Sequence, residues 1–131
     1  MQKQIKSKER VKKFAEVFTN PREVNAMLDL VKDETQKIES TFLEPSCGTG
    51  NFLVEILRRK LEVANNDQER IVALSSIYGV DIQLDNVKTS RLRMLQMMMD
   101  KVDWSYLSTC IQILNKNIIK GDFLKNELPT L

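Results

Sequence analysis

The chain contains no histidine. That single absence removes Ser–His and Cys–His nucleophile pairs and every His-based metal site. Cysteine is almost as scarce. Cys47 and Cys110 form neither a disulfide framework nor a metal-binding spacing, and they suit a reducing cytoplasm. There is no run of 18 apolar residues, which excludes a transmembrane helix. The basic N-terminus lacks the apolar stretch of a secretory signal. Proline occurs only at positions 21, 45 and 129, never in pairs. The formal charge of +2 is too small to announce a nucleic-acid partner. What remains is an ordinary soluble composition, 42% hydrophobic and 29% charged. At 131 residues the chain is long enough for one domain with a real core.

The most informative stretch runs Phe42-Leu43-Glu44-Pro45-Ser46-Cys47-Gly48-Thr49-Gly50-Asn51-Phe52-Leu53. It reads as a short apolar strand over 41–43, a tight turn and the first turn of a helix. In α/β sheets such a junction is where a nucleotide-like ligand meets the backbone. Gly48 supplies dihedrals that other residues avoid, and Gly50 is expected to let the main chain approach a ligand closely.

The flanking segments alternate between helical and extended patterns. Val11, Phe14, Ala15 and Phe18 recur at helical spacing, with Lys6, Lys8, Arg10, Lys12 and Lys13 around them. These charges fit a solvated face better than a phosphate-facing patch, because lysines commonly decorate exposed helices. Asn20, Pro21 and Glu23 then give an N-cap, a first helical residue and a capping-box spacing. Val24, Met27, Leu28 and Val31 continue that helix. After the turn, Phe52, Leu53, Ile56, Leu57, Leu61 and Ala64 make an apolar stripe, with Arg58, Arg59, Lys60 and Glu62 expected largely on its polar side. Asp67 is the expected cap of a short helix carrying Ile71, Val72 and Leu74.

Ile77-Tyr78-Gly79-Val80-Asp81-Ile82 reads as a buried parallel strand. Residues 84–102 read as a helix whose methionines face the core, with Lys88, Arg91, Arg93 and Lys101 facing solvent. Trp104, Tyr106, Leu107 and Ile111 fall in a connecting helix or loop. Residues 117–124 are the third strand and its exit. Asp81 lies 33 residues beyond Gly48. An acid there is either a ribose acceptor or a turn acid opening the next helix. Asp122 by itself is ordinary turn chemistry.

Taken together these strings resemble N6-adenine DNA methyltransferases of restriction-modification systems. The glycine loop follows that family's Asp/Asn-Pro-x-Cys-Gly-x-Gly-x-Phe pattern, with Glu44 in the first place. Phe18-Thr19-Asn20-Pro21 resembles the Phe/Tyr-Thr-x-Pro element, Gly79-Val80-Asp81-Ile82 the second cofactor motif and Gly121-Asp122-Phe123 the third. The order of these elements is similar to the gamma arrangement. The resemblance implies a partial class I methyltransferase fold, Rossmann-like, with three parallel strands ordered 3-2-1 and flanking helices. It divides the chain into a helical segment over 1–40 and a truncated cofactor-binding domain over 41–131.

The implied cofactor is S-adenosylmethionine. The implied contacts come from Thr19, Glu44, Pro45, Ser46, Cys47, Gly48, Gly50, Asn51, Phe52, Asp81, Ile82, Asp122 and Phe123. Thr19 would close over the methionine end, Asp81 would take the ribose hydroxyls, and Asp122 would accept the exocyclic amine of the adenine beside Phe123. Other ligands fit less well. Leu53 stands where a dinucleotide fold has its third glycine, and no Gly-Lys-Ser/Thr follows for a nucleotide triphosphate. Cys47 sits inside the turn with no activating base, so it is not a nucleophile.

The family acts through an Asp/Asn-Pro-Pro-Tyr/Phe element that positions the target amine and stacks on a flipped base. This chain has no such element, so no catalytic residue is assigned. The chain by itself is expected to be inactive and to bind cofactor weakly. DNA is the partner implied for the full protein. A non-catalytic assembly or cofactor-binding subunit, or a methyltransferase acting on RNA or protein, is the alternative. The first strand is expected to present an unpaired edge that a second copy, a C-terminal half or the N-terminal segment would cover.

Overall fold

The computed structural model describes residues 20–131. Thr19, Phe18 and the basic stretch before them lie outside the described residues. Helix α1 (Pro21–Asp29) begins as its sequence predicts: Asn20 Oδ1 accepts the Arg22 N–H at 2.9 Å, and proline occupies the first helical position. Val24 and Leu28 are buried, and both belong to the same core as the rest of the chain. A single turn, α2 (Lys32–Thr35), leads to strand β1 (Phe42–Glu44). Helix α3 (Asn51–Val63), helix α4 (Asp67–Ser75) and strand β2 (Ile77–Asp81) follow. Helix α5 (Leu84–Met99), a 3-10 turn (Trp104–Tyr106), helix α6 (Leu107–Asn117) and strand β3 (Ile118–Lys120) complete the sheet. Phe123–Lys125 is a second 3-10 turn.

The three strands are parallel in the order β1-β2-β3, as expected, with β2 central. Phe42 pairs with Ile77, and Gly79 lies between Glu44 and Ile118. β1 ends the sheet, and no strand among the described residues covers its outer edge. Gly79 is required by packing. A Cβ there would stand 2.9 Å from Leu53 Cδ1 and 3.2 Å from Cys47 Cβ, so its absence lets α3 lie close to the sheet. Leu53, Ile56, Leu57 and Leu61 of α3 meet Val87, Met94 and Met98 of α5, with Ile77, Ile118, Cys110 and Leu114 closing the core. Met94 and Met98 are therefore core groups, with Met97 and Met99 half-buried against them. No described helix is long and apolar enough to cross a membrane.

Several boundaries differ from the sequence reading. β1 is shifted by one residue, so Glu44 is its last member. β2 stops at Asp81, leaving Ile82 outside the ladder, and β3 has only three residues. α5 ends at Met99, although Val102 stays buried. Asn66, not Asp67, caps α4: its side chain accepts the Glu69 N–H at 2.9 Å. Asp67 instead accepts from Arg70 at 2.7 Å.

The largest correction concerns charge. Four cations placed on solvent-facing helix surfaces prove to be structural. Arg59 reaches Asp29 Oδ1 at 2.9 Å and Asn25 Oδ1 at 3.1 Å, tying α1 to α3. Arg91 Nε donates to Ile118 O at 2.8 Å, and Arg93 grips the glycine turn described below. Lys60 is completely buried. Its ammonium donates to Ser76 Oγ at 2.6 Å, to Ile38 O at 3.3 Å and to Ser40 O, and it lies 5.1 Å from the Phe42 ring centroid. It thus joins the entry to β1 with the residue before β2.

Burial pushes the Lys60 ammonium down to about 8, with the carboxylates of Glu39 and Glu34 opposing the shift. A folded-state value below the unfolded one means that between about 8 and about 10.5 the unfolded chain binds the extra proton. The Lys60 contribution to stability therefore rises with pH across that window. Lys60→Met is expected to lose about 1–3 kcal/mol at neutral pH, because three acceptors lose their donor. Urea unfolding of both proteins should show the gap widening from pH 7.5 to pH 10; a gap that closes would contradict this account.

Candidate functional site

The glycine turn leaves β1 through Glu44, whose carboxyl is pushed up by burial and held back in part by a hydrogen bond from the Ser46 backbone. Cys47 N–H donates to Val80 O at 2.8 Å, extending the pairing of β1 with β2 by one more bond. Gly50 N–H then closes on Cys47 O at 3.0 Å. The Cys47 thiol is buried, and that burial pushes it up to about 11, with Asp81 and Glu44 adding to the shift against a hydrogen bond shared with the Ser90 hydroxyl. A thiol so protonated is no nucleophile at neutral pH.

Both glycines have positive φ, +54° at Gly48 and +96° at Gly50. Their surroundings differ in a way the sequence did not reveal. A Cβ on Gly48 would meet nothing within 4 Å. A Cβ on Gly50 would stand 2.9 Å from Ser90 Oγ and 3.2 Å from Ser90 Cα. Gly50 is buried and makes room for α5, so the close approach expected of it is to a helix of the same chain. The open side of the turn is at Gly48.

Asp81 sits at the end of β2 with 8% of its surface exposed. Its Oδ2 accepts the Gly48 N–H at 2.9 Å. Its Oδ1 accepts the Gln83 N–H at 2.8 Å and Asn86 Nδ2 at 3.1 Å. The carboxylate therefore does the turn work of the simpler reading, and also anchors the glycine loop. Three of its roughly four acceptor positions are used.

The neighbouring corner is tied to the same strand end: Gly121 N–H donates to Asp81 O at 2.9 Å. Asp122 Oδ1 accepts the Leu124 N–H at 3.0 Å, and the Asp122 N–H donates to Glu127 Oε1 at 2.7 Å. The chain folds back here so tightly that a Cβ on Gly121 would lie 2.7 Å from Glu127 O. Between this corner and the exit of β2 lies a cleft of about 410 Å³, lined by Ile82, Lys120, Gly121, Asp122 and Glu127. Ile82 is 63% exposed and Phe123 41% exposed. Glu44, the turn, Asp81 and Asp122 thus share one sheet edge, at the carboxyl ends of adjacent strands, where ligands bind in open α/β sheets. Among the described residues no cluster could hold a metal ion.

Three residues at this edge were missed by sequence reasoning. Ser90 donates to Gly48 O at 3.0 Å, Arg93 donates to Thr49 O at 2.8 Å and to Asn51 Oδ1 at 2.8 Å, and Glu127 lines the cleft. Only Ser90 left a signal: it is a small polar residue in register with Val87 and Met94, and such a residue on a buried stripe needs a partner.

The N-6 DNA Methylase family model matches residues 4–126, nearly the whole sequence. The chain belongs to this family. It is similar to the type II methyltransferase M.VspI of Vibrio sp. (strain 343), with 30% identity over 109 residues. That match covers 82% of this chain and 20% of the relative. It is also similar to RM.BcgI of Heyndrickxia coagulans, a type II restriction enzyme and methyltransferase. There the identity is 45% over 42 residues, which is 31% of this chain and 7% of the relative. The chain therefore spans a fifth or less of these relatives. No solved structure matches it.

The two turn glycines should respond differently to substitution. Gly48→Ala is expected to cost about 1–2 kcal/mol, the strain of a left-handed alanine. Gly50→Ala adds a clash with Ser90 and is expected to cost about 2–5 kcal/mol. Equal losses in urea unfolding would show that α5 does not press on Gly50.

Proposed function

We infer that this N-6 DNA Methylase domain is the S-adenosylmethionine-binding portion of a DNA adenine-N6 methyltransferase of a restriction-modification system. One observation carries the reading: the glycine turn, Asp81 and the Gly121-Asp122-Phe123 corner meet at one sheet edge beside a cleft of about 410 Å³. That volume falls in the range of small-molecule sites, roughly 300–1,000 Å³. The residues suit an adenosine. Asp122 keeps one carboxylate oxygen clear of its turn bond to receive an exocyclic amine. Ile82 and Phe123 offer exposed apolar groups for the ring faces. Asp81 retains acceptor capacity for a ribose hydroxyl. The remaining contacts fall to Pro45, Ser46, Asn51 and Phe52 around the turn, with Thr19 toward the methionine end.

When bound, the cofactor supplies an electrophilic methyl group on a sulfonium. This chain's residues bind and orient it. Aligning the methyl group with a target amine needs the Asp/Asn-Pro-Pro-Tyr/Phe element, which does not occur among the three prolines here. A second reading is a cofactor-binding or assembly subunit, since the turn and the cleft serve binding alone. In both readings the outer edge of β1 is the natural place for further strands to add. DNA would be engaged by parts of the protein beyond this domain.

Replacing Asp122 by Asn keeps the turn bond to Leu124 but puts an amide donor where the second acceptor oxygen stood. Calorimetric titration of Asp122→Asn with S-adenosylmethionine should show binding weakened about tenfold or more. The 6-oxo analogue of the cofactor should lose far less. Tighter binding of NAD than of S-adenosylmethionine to the unmodified chain would overturn the assignment.

A further inference from the structure

The glycine turn is held from one side by a single helix. Ser90 and Arg93 are three residues apart on α5 and so project from the same face. Ser90 Oγ donates to Gly48 O at 3.0 Å. Arg93 Nη1 donates to Thr49 O at 2.8 Å and to Asn51 Oδ1 at 2.8 Å. Two successive carbonyls and the first residue of α3 are therefore drawn toward α5.

A peptide unit is planar and trans, so its carbonyl and its N–H point in opposite directions. Holding Gly48 O against Ser90 turns the Thr49 N–H away from α5. Helix α3, whose N-cap is Gly50, has no side-chain cap. The orientation of its first peptide units is then set by what holds the turn. Asp81 holds the other side through the Gly48 N–H. Arg93 is half-buried and borders a separate cavity of about 150 Å³ that also touches Pro21, Asn25 and Asn51. It can be changed without opening the core around Met94 and Met98.

We propose that Arg93, seconded by Ser90, is a positioning residue of the cofactor site: it holds the turn's carbonyls back against α5 and thereby presents the opposite face of the turn to the ligand. The proposal rests on the cofactor reading given above. Arg93 touches no ligand in this scheme. It acts through Thr49 and Asn51.

The test combines calorimetry with S-adenosylmethionine, urea unfolding and amide hydrogen exchange on the 131-residue chain. The proteins are wild type, Arg93→Ala, Arg93→Lys and, as a control on the same helix, Leu92→Ala, whose side chain is exposed. Arg93→Ala should weaken binding about tenfold, as expected for a lost hydrogen bond from a charged donor. Its exchange should quicken at Thr49 and Asn51, with the unfolding midpoint almost unmoved. Arg93→Lys should recover most of the affinity, and Leu92→Ala should match wild type. Wild-type affinity in Arg93→Ala overturns the proposal. So does an affinity loss that lysine does not rescue and that follows a matching fall in global stability. If wild type itself does not bind S-adenosylmethionine, the cofactor reading fails by that result. Exchange at residues 49–51 then decides the clamp alone: unchanged rates sink it and locally faster rates uphold it.

Discussion

The hydrogen bond from the Gly48 N–H to the Asp81 carboxylate, 2.9 Å long, joins the exit of one strand to the exit of the next. The glycine turn and the corner at Gly121 both meet the end of β2 that carries it. Asp81 is buried, so its carboxylate needs internal donors, and the chain provides them from the glycine turn, from Gln83 and from Asn86. The same strand end accepts the Gly121 N–H through its backbone, which brings the Asp122 corner alongside. A single buried acid thereby couples three segments far apart in sequence.

The opposite end of the sheet is tied by a charge of the other sign. Lys60 reaches across from α3 to carbonyls before β1 and to Ser76 before β2. Buried ions are costly unless surrounded by partners, and both of these are. The sheet is short, with strands of three, five and three residues, and its own ladder gives little register. Fixed polar ties at both ends, together with the close approach of α3 at Gly79, supply what so few pairing bonds cannot.

The family relationship agrees with this geometry at the level of the fold. The match to N-6 DNA Methylase covers residues 4–126, and the parallel three-stranded sheet with flanking helices is the arrangement the motifs implied. The two relatives are several times longer than this chain, so the domain accounts for only a portion of their architecture.

Most of the order of helices and strands was legible from apolar periodicity and turn chemistry, because both report local geometry; α6 (Leu107–Asn117) was left as a connecting helix or loop, and its Asn117 was read as the start of the third strand. Asn20, Pro21 and Gly48 acted where they stood, while Gly50, expected to admit a ligand, makes room for α5 instead. The roles of the polar side chains were not legible. Lys60 and Arg91 were assigned to solvent on their charge, although helical spacing puts Lys60 in register with Ile56 and Leu57 and Arg91 with Val87 and Met94; these two and Arg93 each turn back to a carbonyl on another element. Asp81 was placed correctly at the strand end, but that its oxygens would be taken up by Gly48, Gln83 and Asn86 required the sheet to be assembled. Spacing along the chain determines which face a residue occupies. A long-range hydrogen bond depends on which carbonyls and amides the packing leaves without water, and only the tertiary structure decides that.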